Sequence, residues 1–74
     1  MEKTEFNKKL GLYIKKKRLQ NKWSQAMLAD KLGNNYQNIS RIERGELSPT
    51  LFWCSKLAEA FEMDLHNFIK NALK

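Results

Sequence analysis

Apolar residues recur at intervals of three and four from Phe6 to Ile69, without the alternation of a strand. That period is helical and predicts five helices. The first starts with Thr4 as N-cap and runs to about Asn21. Phe6, Leu10 and Ile14 form its apolar stripe, and Lys8, Lys9, Lys15, Lys16 and Lys17 lie largely on other faces. Ser24 caps a second helix, "SQAMLADKL", in which Leu28 and Leu32 stand one turn apart before Gly33 breaks it. Asn34 or Asn35 caps a third that runs to Arg44, where Gly45 is placed for a left-handed C-terminal cap. After the loop "ELSPT", Ser48 or Thr50 caps a fourth helix over about 51–61, with Pro49 in its first turn. Leu51, Cys54, Leu57, Ala58 and Phe61 line one side of it. Asp64 opens a fifth, with Leu65, Phe68 and Ile69 facing inward. The expectation is an all-α, compact five-helix bundle forming a single domain over residues 1–74.

Charge adds a direction to this bundle. The chain carries +6 overall, but residues 1–44 hold eleven Lys and Arg against four Asp and Glu, while residues 45–74 hold three against four. A basic front half suits a polyanion, with nucleic acid the leading candidate. Cys54 and His66 stand alone, which leaves no disulfide, no metal cluster and no cofactor to expect. Charged residues interrupt every apolar run well before the roughly 18 residues of a membrane span, and no signal peptide is evident. These features predict a soluble cytoplasmic protein with no membrane partner. An enzyme is not expected: there is no Ser–His–Asp set, no paired carboxylates in an apolar setting and no glycine-rich phosphate loop.

The stretch "KLGNNYQNISRIERGE" (31–46) is too polar for a core element, yet Ile39 and Ile42 keep a helical spacing. Counted from Gln25, the segment meets the steric demands of a helix-turn-helix. Leu28 and Leu32 anchor the first helix, and Ala29 is small where two backbones approach. Gly33 can take positive φ in the turn, and Ile39 and Ile42 turn the second helix to the core.

With those residues in view, the chain resembles the lambda-repressor-like family, the Cro and phage-repressor (XRE) type of helix-turn-helix. The matching segments are "LGLYIKKKR" (10–18), "WSQAMLADKLG" (23–33), "ISRIERGELSPT" (39–50) and "LAEAFEMDLHNFI" (57–69), so the likeness spans roughly residues 8–70. The resemblance implies that the third helix enters the DNA major groove. It puts Asn35, Tyr36, Gln37, Asn38 and Arg41 on the groove side, with base contacts from Tyr36, Gln37, Asn38 and Arg41. It implies phosphate contacts from Ser24, Gln25, Asn35 and Arg44, to which Lys16 is added from the lysine run. Arg18 and Glu43 match a structural pair that ties the first helix to the third in several relatives. Two positions depart from the family pattern: Asn34 stands where a small apolar residue usually follows the glycine, and Lys17 where the first helix is commonly apolar. The side-chain chemistry agrees, because Arg suits guanine O6 and N7 and Gln pairs with adenine N6 and N7.

The function these readings imply is a sequence-specific regulator of transcription on a double-stranded DNA operator. One recognition helix reads too few base pairs to find a genomic site, so a homodimer on a pseudo-palindrome is expected. Phe52, Trp53, Met63, Phe68 and Leu73 are the interface candidates. The alternative is a protein-interaction module of the same fold, toxin-neutralising or contacting RNA polymerase, with DNA binding secondary. Compact regulators of this type include phage-type repressors and controller proteins of restriction–modification systems. Trp23 is expected to staple the second helix to the core, Cys54 to fill it, and His66 to lie on the surface.

Overall fold

The computed structural model describes residues 1–74 as five helices: α1 (Lys3–Gln20), α2 (Gln25–Leu32), α3 (Tyr36–Glu43), α4 (Leu51–Ala60) and α5 (Leu65–Ala72). Four begin with the expected chemistry. Ser24, Asn35, Thr50 and Asp64 each accept a hydrogen bond from the backbone N–H three residues on, at 3.0, 2.9, 3.2 and 2.8 Å. Each satisfies a donor that the helix itself cannot pair.

The start of α1 differs from expectation. Thr4 lies inside the helix, and the N-cap is Glu2, which makes no side-chain cap. Pro49 likewise falls just before the cap Thr50 rather than in the first turn of α4. Ser48, the other candidate cap, donates its hydroxyl to Oδ1 of the buried Asn7 instead, and so pins the 46–50 loop to α1.

Four helices close in the same way. After α2 and α3, Gly33 and Gly45 take φ of 69° and 78°. After α1 and α4, the left-handed position falls to Lys22 (φ 59°) and Glu62 (φ 57°). In each case the next residue donates back to a carbonyl five residues earlier: Trp23 to Arg18, Asn34 to Ala29, Glu46 to Arg41 and Met63 to Ala58. These are Schellman closures. A β-carbon in this conformation costs about 1–2 kcal/mol, partly offset by the unfolded-state entropy that glycine adds. Glu62→Gly is therefore expected to raise the melting temperature by about 2–4 °C. Thermal unfolding followed by circular dichroism reads the sign, and a lowered midpoint would contradict it.

Thirteen apolar residues form one core, in which Leu10, Ile14, Leu28, Ile39, Leu57 and Phe68 are essentially sealed from solvent. An aromatic column runs through it. Trp23 stacks on Phe61 (5.8 Å, 13°), Phe61 on Phe68 (6.3 Å, 24°), and Tyr13 meets Phe68 edge-on at 5.6 Å. Lys31 caps the outer end over Trp23 at 4.5 Å. Trp23 thus staples the entry of α2 to α4, as expected, and Cys54 is core, where burial pushes its thiol pKa up.

Phe68 is a correction to the interface set. At 0% exposure it is the centre of the column and presents nothing to a partner. Met63 is half-buried and accepts a hydrogen bond from the Tyr13 hydroxyl at 3.4 Å. No helix is long and apolar enough to cross a membrane.

Candidate nucleic-acid interface

The third helix is built to face two ways. Ile39, Ile42 and Glu43 are buried on its inner side, while Gln37, Arg41 and Arg44, spaced four and three apart, form an exposed line on the outer side. Tyr36 opens the helix at 53% exposure. Asn38 flanks the line and is half-buried, because its amide nitrogen donates to Oδ1 of Asn34 at 3.0 Å. The same Asn34 oxygen accepts from the Asn35 N–H at 2.8 Å. Asn34, the departure from the family pattern, is therefore a brace for the turn, and Asn35 is the cap proper. That brace leaves Asn38 one N–H and its carbonyl oxygen for a ligand.

What fixes the angle of α3 is a buried ion pair. Arg18 reaches from α1 to Glu43 with two parallel bonds, Nε to Oε2 at 2.7 Å and Nη2 to Oε1 at 3.0 Å. Its third nitrogen, Nη1, donates to the Trp23 carbonyl at 2.8 Å. Gln25, at the start of α2, donates from Nε2 to Glu43 Oε1 at 3.1 Å. The side chains of Arg18 and Glu43 are 9% and 3% exposed, and no buried side-chain polar atom lacks a partner. One carboxylate thus joins α1, α2 and α3, and bidentate geometry resists both sliding and rotation. Gln25 is half-buried by this role, with one N–H still free to face outward.

Besides the Gln25–Glu43 and Asn34–Asn38 bonds, two further contacts escaped the sequence reading. Gly11 lets α1 lie directly on the end of α3: a β-carbon there would sit 2.3 Å from the Ile42 carbonyl oxygen and 2.7 Å from that of Glu43. A glycine in mid-helix costs about 1 kcal/mol relative to alanine, and that cost was the available signal. The second is Arg44, whose guanidinium holds Glu46 at 2.8 and 3.2 Å and also donates to Ser40 Oγ. The hydrogen bond from Arg44 holds the Glu46 carboxyl below its ordinary range and raises the Arg44 pKa in return. Glu46 and Ser40 take three of the five Arg44 N–H donors, which leaves two for an incoming phosphate. Ser24 and Lys16 are both exposed, and Ser24 still has its hydroxyl proton to give after capping α2.

Two helices joined across a left-handed glycine, the second with a polar outer line and a clamped inner face, constitute a helix-turn-helix. Residues 14–68 match the family model HTH_3, helix-turn-helix, and the chain belongs to that family of DNA-binding transcriptional regulators. No curated protein matches the chain. Among solved structures, it is similar to an HTH_3 family transcriptional regulator from Vibrio cholerae, at 27% identity and TM-score 0.84. The likeness covers 95% of this chain and 39% of that protein, so this chain spans well under half of its length. The fold is also shared with the clp gene regulator ClgR from Corynebacterium glutamicum, at 16% identity and TM-score 0.83 over 90% of this chain and 71% of that one. A hypothetical transcription factor, NHTF, from Neisseria aligns at 22% identity and TM-score 0.80, covering 93% and 79%.

Proposed function

We propose that this protein is a sequence-specific regulator that lays α3 in the major groove and binds a pseudo-palindromic operator as a homodimer. The observation that carries the reading is the exposed line Gln37–Arg41–Arg44 on a helix whose opposite side is locked by Arg18, Gln25 and Glu43. Arg41 offers a fork of donors to guanine, Gln37 an amide to adenine, and Tyr36 and Asn38 the flanking base contacts. Ser24, Gln25, Asn35, Arg44 and Lys16 contact phosphates, which set position rather than sequence. Two-fold pairing through the start of α4 is supported by Phe52, 60% exposed and edge-on to Trp53 at 5.2 Å, beside Leu51 at 73% exposure. Paired exposed apolar residues of this size favour burial against a second copy. Leu73 is half-buried and contributes at most an edge.

Arg41→Ala tests the groove assignment. The expected loss is about 1–3 kcal/mol on the preferred site, with relaxed choice at one base pair per half-site. Site selection with the variant checks it, and an unchanged preference would remove Arg41 from the base-reading set. Lys16→Ala should weaken all sequences alike and reduce the salt slope of binding by about one. Titrations at two salt concentrations read that slope, and an unchanged one would take Lys16 off the phosphates.

A further inference from the structure

Apart from Lys16, the outer face of α1 takes no part in the proposed DNA contacts. Leu12 and Leu19 are 65% and 54% exposed, and neither joins the core or packs against it. Seven residues apart, they stand two turns along one side of the helix. Three grooves adjoin them. One is lined by Leu12, Lys15, Lys16, Leu19 and Gln20. Another, where α1 meets α5, is lined by Tyr13, Lys16, Lys17, Gln20, Asn71 and Lys74. A third, on the α3 side of Leu12, is lined by Lys8, Leu12, Lys15, Glu43, Arg44 and Glu46. Its two carboxylates are held by Arg18 and Arg44, so the charges left unpaired beside the apolar ridge are lysines.

The position of this face relative to α3 follows from helix geometry. Gly11 meets the end of α3, and Tyr13, two residues on, points about 200° around the helix, toward α5. The groove at α5 therefore lies on the far flank of α1 from the recognition helix.

Ligand classes differ in what they gain there. Phosphates satisfy the lysines and gain nothing from two leucines. A lipid surface asks for a broader apolar face, with aromatic or leucine residues over most of a helix side. An acidic amphipathic helix matches both features, with apolar side chains on Leu12 and Leu19 and carboxylates on Lys15 and Lys17. We infer that the outer face of α1 is a docking site for an acidic amphipathic helix of a partner protein, occupied while α3 remains free for DNA. The site is small and suits a transient complex.

The test uses the full chain and a fluorescein-labelled peptide roughly four turns long, with leucine at i, i+3, i+4 and i+7 and Asp or Glu elsewhere. A matched peptide replaces the leucines with serine, and phosphatidylserine vesicles and random-sequence duplex DNA are titrated in parallel. The leucine peptide should bind at least about tenfold tighter than the serine peptide, and Leu12→Ser with Leu19→Ser should abolish the difference. Duplex affinity of the same variant should stay within about twofold, and DNA-loaded protein should still take the peptide. Both leucines are exposed, so circular dichroism should show an unchanged fold. Equal binding of the two peptides would overturn the inference. So would leucine-dependent binding to vesicles in place of peptide, or a loss of duplex affinity in the leucine variant, which would assign the face to DNA. Because duplex binding is read on the same samples, failure here is distinguishable from failure of the DNA-binding reading.

Discussion

Glu43→Ala is expected to cost about 3–5 kcal/mol of stability, the usual effect of removing one partner of a buried ion pair. Arg18 would keep only the Trp23 carbonyl at 2.8 Å, and Gln25 would lose its acceptor as well. A chain of 74 residues has about 4–11 kcal/mol in total, so this variant would be marginally folded. The pair nevertheless adds little net stability, because desolvating both charges offsets most of their attraction. Arg18→Met combined with Glu43→Leu should therefore recover most of the loss in a urea titration. The double variant would still lack the bidentate geometry that fixes α3, and its operator affinity should fall although it is folded. A wild-type urea midpoint for Glu43→Ala would contradict the clamp.

Gly11→Ala should be the next most damaging single change, and for a different reason. The obstacles to the new methyl are carbonyl oxygens of α3 at 2.3 and 2.7 Å, held in the helix and unable to swing aside. Ordinary contact needs a further separation of about 1 Å between the helices. Overpacking of this kind costs about 1–3 kcal/mol, which outweighs the roughly 1 kcal/mol that alanine gains in helix propensity. The displaced element is the recognition helix itself, so operator affinity of the folded protein should drop by about tenfold, the loss of one good base contact. Urea unfolding and a DNA titration on the same sample separate the two effects. An alanine variant with unchanged stability and affinity would mean that α1 and α3 do not approach this closely. Gly33 makes the contrast: nothing lies within 4 Å of its missing β-carbon, and only its φ of 69° demands glycine.

Side-chain chemistry was legible in the sequence at most helix ends, although Thr4 is not the cap of α1. Ser24, Asp64, the Gly33 turn and the Gly45 closure were legible, because a capping oxygen or a left-handed glycine works within one turn of its own position. For α3 and α4 the sequence offered two caps each, and the structure takes Asn35 and Thr50. Lys22 and Glu62 were not, since nothing in a lysine or a glutamate signals positive φ. Those closures are held by the residues that follow, Trp23 and Met63, which pack against the core. Spacing assigned Phe68 to an inward stripe, and that was sound; placing it also at an interface failed because both uses cannot be met by one side of α5. The inner face of α3 was readable from the spacing of Ile39 and Ile42, while a DNA role for its outer face came only from the family resemblance. The linkage of Gln25 to Glu43, the brace from Asn34 to Asn38 and the Arg44–Glu46 pair were not, because each depends on distances that the fold sets.

The central claim is that one clamped helix reads a defined sequence twice. Selection of bound duplexes from a random DNA library, with affinity for the winner measured at two salt concentrations, tests it most directly. The account predicts a pseudo-palindrome whose half-sites lie about 10 base pairs apart, centre to centre, bound in a salt-dependent manner. Salt-sensitive binding with no consensus would contradict it, and would leave a basic helix-turn-helix that holds DNA without reading it.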